Sequence, residues 1–183
     1  VFPEAAEPMR EGDDFLNLCE ANAIMGKKKM EKQPDWNIKF IKEFKMITYK
    51  HDISVKAYND MRIAVGWRKL DEQQAQTGLE HSVYTIAAYD EEKPVGMARI
   101  VGDGGYMYLI VDVMVLPAYQ RKGIGRQMLN RVNSWLDQQS EGGLCIMVNL
   151  MATSGNEGFY EKLGYVTRPN DTMGAGMVRW ING

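Results

Sequence analysis

Two cysteines and two histidines among 183 residues leave little material for metal or redox chemistry. Cys19 and Cys145 lie far apart and form no Cys-x-x-Cys or Cys/His spacing, so no metal is expected. The thiols read as reduced residues of a cytoplasmic protein. No stretch approaches the roughly 20 apolar residues a membrane-crossing helix requires, and the first residues carry acids and prolines instead of a basic, then apolar, leader. A membrane partner is therefore not expected. Neither is nucleic acid, because 22 basic and 24 acidic residues give a formal net charge of only -2. No repeat of fixed period and no low-complexity tract is present, which excludes a solenoid or a disordered scaffold. Small ligands are the partners that remain.

With 45% hydrophobic and 25% charged residues, the chain is long enough for one domain with a real core. Residues 1–45 differ from the rest. They combine Pro3, Pro8 and Pro34 with early acids and the run Lys27-Lys28-Lys29, and they show one candidate helix, near Asp14 to Met25. They read as an extension, natural or left by cloning, ahead of a domain at 46–183.

From Met46 the pattern alternates. Met46 to Lys50 predicts a strand. Ser54 is placed to cap a helix carrying Val55, Tyr58, Met61, Ile63 and Val65, and a second short helix follows Asp71. Ser82 to Tyr89 and Val95 to Val101 predict a hairpin about Asp90-Glu91-Glu92-Lys93. After the Gly102–Gly105 turn, Tyr106 to Leu116 is rich in aromatic and β-branched residues, and Pro117 ends it. A long helix is expected from about Gly123 to Gln139, then a strand at Leu144–Leu150 and a short helix around Glu157–Leu163 stopped by Gly164. Two closing strands are expected near Tyr165–Arg168 and Met177–Ile181. The order implies an α+β fold with a mixed, mostly antiparallel central sheet flanked by helices.

The most informative stretch is Gln120-Arg121-Lys122-Gly123-Ile124-Gly125-Arg126, between the strand ending at Leu116 and the long helix. A helix start offers free N–H groups and a positive dipole end. Gly123 and Gly125 let a phosphate approach the backbone, and Arg121, Lys122 and Arg126 add positive charge. The turn can hold a pyrophosphate. It is neither a P-loop nor a Gly-x-Gly-x-x-Gly dinucleotide turn. Alone, the glycines would read equally as punctuation at a solvated basic helix start.

Gln120 to Gly125 resembles the Gln/Arg-x-x-Gly-x-Gly/Ala signature of the GNAT superfamily of N-acetyltransferases. Phe159-Tyr160 followed by Leu163-Gly164-Tyr165 resembles that family's second motif. The resemblance covers residues 46–183 and implies acetyl-CoA as cosubstrate. It implies that the backbone from Arg121 through Ile124 and Gly125 to Arg126, with Gln120 just before, holds the pyrophosphate. It also implies that the main chain of Val113, Met114 and Val115 pairs with the pantetheine arm and steadies the thioester carbonyl. Tyr160 matches the tyrosine placed to protonate the departing thiolate; its plainer reading is a packed helix tyrosine. Asn156 either caps the Tyr160 helix or touches the coenzyme. Thr153 stands where many relatives have asparagine.

A primary amine with a pKa near 10 must give up a proton before it attacks, at a cost of about 4 kcal/mol at pH 7. Asp112 is the one acid within the Tyr106–Leu116 strand, and the resemblance places it where it could anchor or deprotonate the amine. It reads equally as an edge carboxylate paired with Arg99 or Lys93. His51 and His81 sit at element boundaries, where a solvated or capping role is commoner than a catalytic one. Trp67, Tyr106 and Tyr108 are candidates to wall an acceptor pocket, with core packing as the alternative for the tyrosines. Cys145 lies in a run that looks buried and is rejected as a nucleophile. The expected activity is direct acetyl transfer from acetyl-CoA to the amine of a small molecule. A protein or peptide acceptor, an antibiotic acceptor, and a non-catalytic acyl-CoA sensor are the alternatives, and a homodimer is left open.

Overall fold

The computed structural model describes residues 46–181. The helix expected near Asp14 to Met25, the Lys27–Lys29 run and Cys19 lie outside the described residues. Strands β1 (Ile47–Lys50), β2 (Tyr84–Asp90), β3 (Lys93–Gly102), β4 (Met107–Val115) and β5 (Met147–Leu150) form one sheet in the order β1-β2-β3-β4-β5. Neighbours pair antiparallel except β4 and β5, which run parallel. The helices are α1 (Val55–Ala64), α2 (Glu72–Glu80), α3 (Ile124–Gln139) and α4 (Glu157–Glu161). The chain is α+β, as its sequence predicts.

The caps expected for α1 and α2 are in place. Ser54 Oγ accepts from the Ala57 amide at 3.2 Å, and Asp71 Oδ1 accepts from Gln73 and Gln74 at 2.9 and 3.1 Å. Between them, buried Asn59 exchanges two hydrogen bonds with the backbone of Leu70, at 3.2 and 3.0 Å, and so latches the loop joining the helices.

The two faces of the sheet carry separate cores. On one face α3 buries Ile124, Met128, Leu129, Val132 and Leu136, the i, i+4, i+5 spacing of an amphipathic helix, against Ile86, Ala88, Ala98, Ile100, Tyr108 and Ile110. Each large aliphatic side chain so buried contributes about 1.5–3 kcal/mol. On the other face Tyr58 and Met61 of α1 and Ala75 of α2 pack on Ala87, Met97 and Met114.

One irregularity positions the functional region. Met97 pairs with Met114 and Arg99 with Val111, so β4 carries one residue more than the facing stretch of β3. This is a β-bulge, with Asp112 in the left-handed region at φ 52°. Its effect on side-chain direction is plain. Before the bulge, Tyr108 and Ile110 face α3; after it, Val113 and Val115 do, and Met114 joins the α1/α2 core.

Three expectations change. β5 begins at Met147, not Leu144, and α4 ends at Glu161 because Gly164, at φ 90°, cannot continue it. The closing strands at Tyr165–Arg168 and Met177–Ile181 do not form among the described residues. Val166, Met177, Val178, Trp180 and Ile181 are all at least 67% exposed. Their β-propensity is real, but a strand is completed by a neighbour's hydrogen bonds, and none of the described residues supplies one there.

Close approach of α3 to the sheet depends on Gly96 of β3. A Cβ there would stand 3.2 Å from the Met114 carbonyl oxygen, 3.3 Å from Ile124 Cγ2 and 3.0 Å from Met128 Cε. Gly96→Val is therefore expected to lower unfolding stability by about 1–3 kcal/mol, the usual cost of overpacking. Urea denaturation followed by circular dichroism measures it, and an unchanged midpoint would contradict this packing.

Candidate functional site

Past the end of β4 the chain makes a 3-10 turn, Pro117–Tyr119, then turns through Gln120 to Gly123 into α3. Arg121 and Gly123 both have positive φ, 59° and 81°, so the chain reverses sharply as it enters α3. Among the described residues no side chain caps that helix, so its first-turn amides are left for a ligand or solvent. Arg121, Lys122 and Arg126 are exposed around them. The result is an electropositive, donor-rich end suited to a phosphate group.

The turn is braced from below. Tyr119 donates to buried Asp90 at 2.6 Å, tying the 3-10 turn to the end of β2, and its ring carries the ammonium groups of Lys93 and Lys122 at 5.6 and 5.3 Å. Gln120 Nε2 donates to the Val115 carbonyl at 3.0 Å, so its side chain supports the strand end. At Gly125 the turn meets two other regions, since a Cβ there would lie 3.7 Å from Val115 Cγ2 and 3.6 Å from Phe159 Cζ. The helix start, the end of β4 and α4 thus converge.

Beside the turn, β4 has an open margin. β5 pairs with β4 only from Met107 to Ile110, and among the described residues no strand accompanies Val111–Val115 on that side. Val113, Met114 and Val115 therefore carry their main chain along a gap that leads to the α3 start. An extended chain bearing a diphosphate has both complements there: peptide groups along its length and helix amides at its charged end.

Tyr160 sits on α4, next to the Phe159 that meets Gly125. Its ring packs edge-on to Phe159 at 5.0 Å and to Tyr165 at 6.3 Å, and its hydroxyl makes no hydrogen bond among the described residues. Burial raises its pKa above the usual phenol value, so the proton is kept at neutral pH. Tyr165 is held more firmly. It donates to Asn133 Oδ1 at 2.6 Å, and burial, helped by Tyr160 and Asp137, pushes its pKa up to about 12. Asn156 is the residue before α4, but its side chain makes no capping hydrogen bond and is exposed.

Asp112 is the centre of a polar cluster. Its Oδ2 accepts from Tyr58 at 2.7 Å and from Arg99 Nε at 2.6 Å, and its Oδ1 accepts from Arg62 Nη1 at 3.0 Å. Of the two partners expected from sequence, Arg99 is present, while Lys93 lies over Tyr119. Tyr58 and Arg62 were not foreseen. They stand four apart on α1, the spacing that puts two side chains on one helix face, and that spacing is the signal that could have found them. Burial, then the charge of Asp112, raise the Tyr58 pKa, which keeps it a donor.

The acceptor candidates do not converge. Tyr108 is 2% exposed, packed edge-on to Trp135 at 5.8 Å under α3, because strand alternation turns it into the core; it is not a pocket wall. Tyr106 is half exposed at the β3–β4 tip, and Trp67 packs by the α1/α2 core with the Arg62 guanidinium 5.5 Å from its ring. His51 Nδ1 donates to the Thr85 carbonyl at 3.0 Å, and His81 Nδ1 donates to the Thr77 carbonyl at 2.9 Å, at the end of α2. His51 borders a shallow groove of about 410 Å³ with Leu79, Ser82, Val83, Tyr84 and Thr85. That groove lies where β2 starts and β3 ends, at the opposite end of the sheet from the Gly123 turn. Cys145 is exposed, not buried, because β5 begins only after it.

A family model described as "Acetyltransferase (GNAT) domain" matches residues 80–167. "GCN5-related N-acetyltransferase 1, chloroplastic" of Arabidopsis thaliana is 28% identical over 129 residues, covering 69% of this chain and 64% of its own length. "Serotonin N-acetyltransferase 2, chloroplastic" of Oryza sativa subsp. japonica is 29% identical over 131 residues, with the same 69% and 64% coverage. The matched region thus spans less than two thirds of either relative. A structure from meticillin-resistant Staphylococcus aureus, described as a "Probable Acetyltransferase", superposes with a TM-score of 0.66 at 26% identity, covering 74% of this chain and 100% of that one.

The buried phenols set an alkaline limit. Their folded pKa values are raised, so below the unfolded phenol value near 10 both states hold the proton and stability is level. Above it the unfolded chain releases protons that the folded one keeps, and stability falls as pH rises from about 10 towards 12. Thermal melts across that range, with ultraviolet phenolate absorbance, are expected to show a declining Tm and late-titrating tyrosines. A Tm that rises there would contradict the burial of Tyr160 and Tyr165.

Proposed function

We propose that this chain, which belongs to the GNAT superfamily of N-acetyltransferases, moves an acetyl group from acetyl-CoA to a primary amine of a small molecule. The observation that carries the proposal is the convergence at Gly125 of an uncapped helix start, the open margin of β4 and the Phe159-Tyr160 helix.

In this reading the amides of the Arg121–Arg126 turn hold the pyrophosphate, with Arg121, Lys122 and Arg126 supplying charge. The main chain of Val113, Met114 and Val115 aligns the pantetheine arm, and an amide near Val113 steadies the carbonyl oxygen as negative charge develops on it. The amine nitrogen bonds to the carbonyl carbon and the carbon–sulfur bond breaks. Tyr160, a protonated phenol at neutral pH whose pKa burial raises further, gives its proton to the departing thiolate and regains one from solvent. The proton lost by the amine passes to solvent, since both oxygens of Asp112 already accept hydrogen bonds. No acyl-enzyme is required. A small amine is supported by the relative from Oryza sativa named for serotonin, and by the absence of a strong overall charge that would select a polyionic acceptor.

A screen of primary amines with acetyl-CoA, following thiol release, tests the acceptor class. Turnover of lysine peptides alone would move the assignment to protein acetylation. Binding of acetyl-CoA with no turnover would leave a sensor. Tyr160→Phe is expected to lower kcat about 100-fold with the coenzyme A Kd nearly unchanged by calorimetry. Gly123→Ala should do the reverse. A Cβ at φ 81° costs about 1–2 kcal/mol, and twisting the turn to relieve it weakens coenzyme A binding by about tenfold.

A further inference from the structure

The acid in β4 does a different job from the one its place in the strand suggests. We propose that Asp112 is a positioning residue: it locks the β4 bulge in the register that presents the Val113 and Met114 main chain to the thioester, and it takes no proton from the amine. The inference rests on the acetyl-transfer reading above.

Three observations carry it. Asp112 is itself the residue with φ 52°, a left-handed conformation that residues with a Cβ rarely adopt, Asp and Asn less reluctantly than most. What holds it is a set of three hydrogen bonds to its carboxylate, from Tyr58, Arg62 and Arg99 at 2.7, 3.0 and 2.6 Å, with the ion-pair side chains only 11–15% exposed.

The donors are in turn fixed to separate elements. Arg62 Nε donates to the Arg68 carbonyl at 2.9 Å in the α1–α2 loop, and Arg99 Nη1 donates to the Gly78 carbonyl and Ser82 Oγ at 2.8 and 3.1 Å at the end of α2. The bulge is thereby clamped to α1, α2 and β3 together. Accepting a proton from a substrate would require the carboxylate to surrender charge-assisted bonds on which the local backbone depends.

Asp112→Asn and Asp112→Ala in the full chain separate positioning from proton transfer. Asparagine tolerates the left-handed region and keeps an acceptor oxygen, but it is no base. Alanine has neither property. With thiol release from acetyl-CoA as the assay, and serotonin and a lysine peptide as the amine probes, Asp112→Asn is expected to retain kcat within about tenfold, with the pH–rate profile unmoved. Asp112→Ala should lose at least about tenfold in kcat, with a smaller change in the KM for acetyl-CoA, because the turn is held by α3 and not by the bulge. A loss of about 100-fold or more in Asp112→Asn, with the acidic limb of the profile gone, would make Asp112 the base and overturn the proposal.

Wild-type kinetics equally in Asp112→Ala would overturn it too. If Asp112→Ala does not fold, Tyr58→Phe takes its place, since it leaves both guanidinium pairs: a lowered kcat with an unmoved profile supports the clamp, and unchanged kcat refutes it. If the wild type turns over neither probe nor any amine of the screen above, the acetyl-transfer reading has failed, and the amide resonances of Val113 and Met114 decide the clamp on coenzyme A addition. Shifts shared by wild type and Asp112→Asn but absent from the alanine or Tyr58→Phe variant support it, and identical shifts in all refute it.

Discussion

An extra residue in β4 changes which side of the sheet the rest of that strand faces. Up to Ile110 the even-numbered side chains lie under α3; from Val113 on, the odd-numbered ones do. Met114 can therefore join the α1/α2 core while Val115 meets the start of α3. Without the extra residue these two would exchange faces, and the strand would deliver the chain into the turn with the wrong side outward. The conformation that allows this, positive φ at Asp112, is unfavourable for aspartate, and the two guanidinium groups with Tyr58 offset it. The same cluster makes the region intolerant of change. Removing the side chain, as alanine does, would leave two largely buried cations with no acceptor at this position, a situation that typically costs about 3–5 kcal/mol.

The second constraint is the polarity of α3. One face of this helix supplies most of the core beneath the sheet, and its first turn, left uncapped, supplies the donors of the candidate site. Packing and binding are thus joined in one element. Gly96 lets the helix settle on β3, and Gly123 lets the chain enter it at an angle no residue with a Cβ adopts cheaply. The positive end of the helix and three exposed basic side chains then coincide, in a chain whose overall charge is close to neutral.

How much could be read in advance differs from element to element. Ser54 and Asp71 were identifiable as caps because capping depends on side chains adjacent in sequence. The β2–β3 hairpin and α3 were identifiable because their patterns have short periods. The Gln120–Gly125 turn stood out because its residue types are local to it. The Asp112 cluster was only half legible. Arg99 was a foreseeable partner, but Tyr58 and Arg62 come from a helix some fifty positions earlier, and nothing in the strand's own composition points there. Cys145 and the closing strands depart from expectation, and Tyr108 takes its core alternative, for a shared reason: aromatic and β-branched content measures a preference for extended backbone, not which face is covered or whether a partner strand exists.

The sequence by itself determined the α+β class, the helix caps, the glycine turn and the Phe-Tyr helix, since each depends on residue types at short spacing. Only the tertiary structure decided that Val111–Val115 runs past the end of β5, that Gly125 lies against both Val115 and Phe159, and that Asp112 is clamped by two arginines and a tyrosine. Those facts depend on which distant segments pack together. That is settled by the burial of two cores on opposite faces of one sheet, and no short stretch of sequence encodes it.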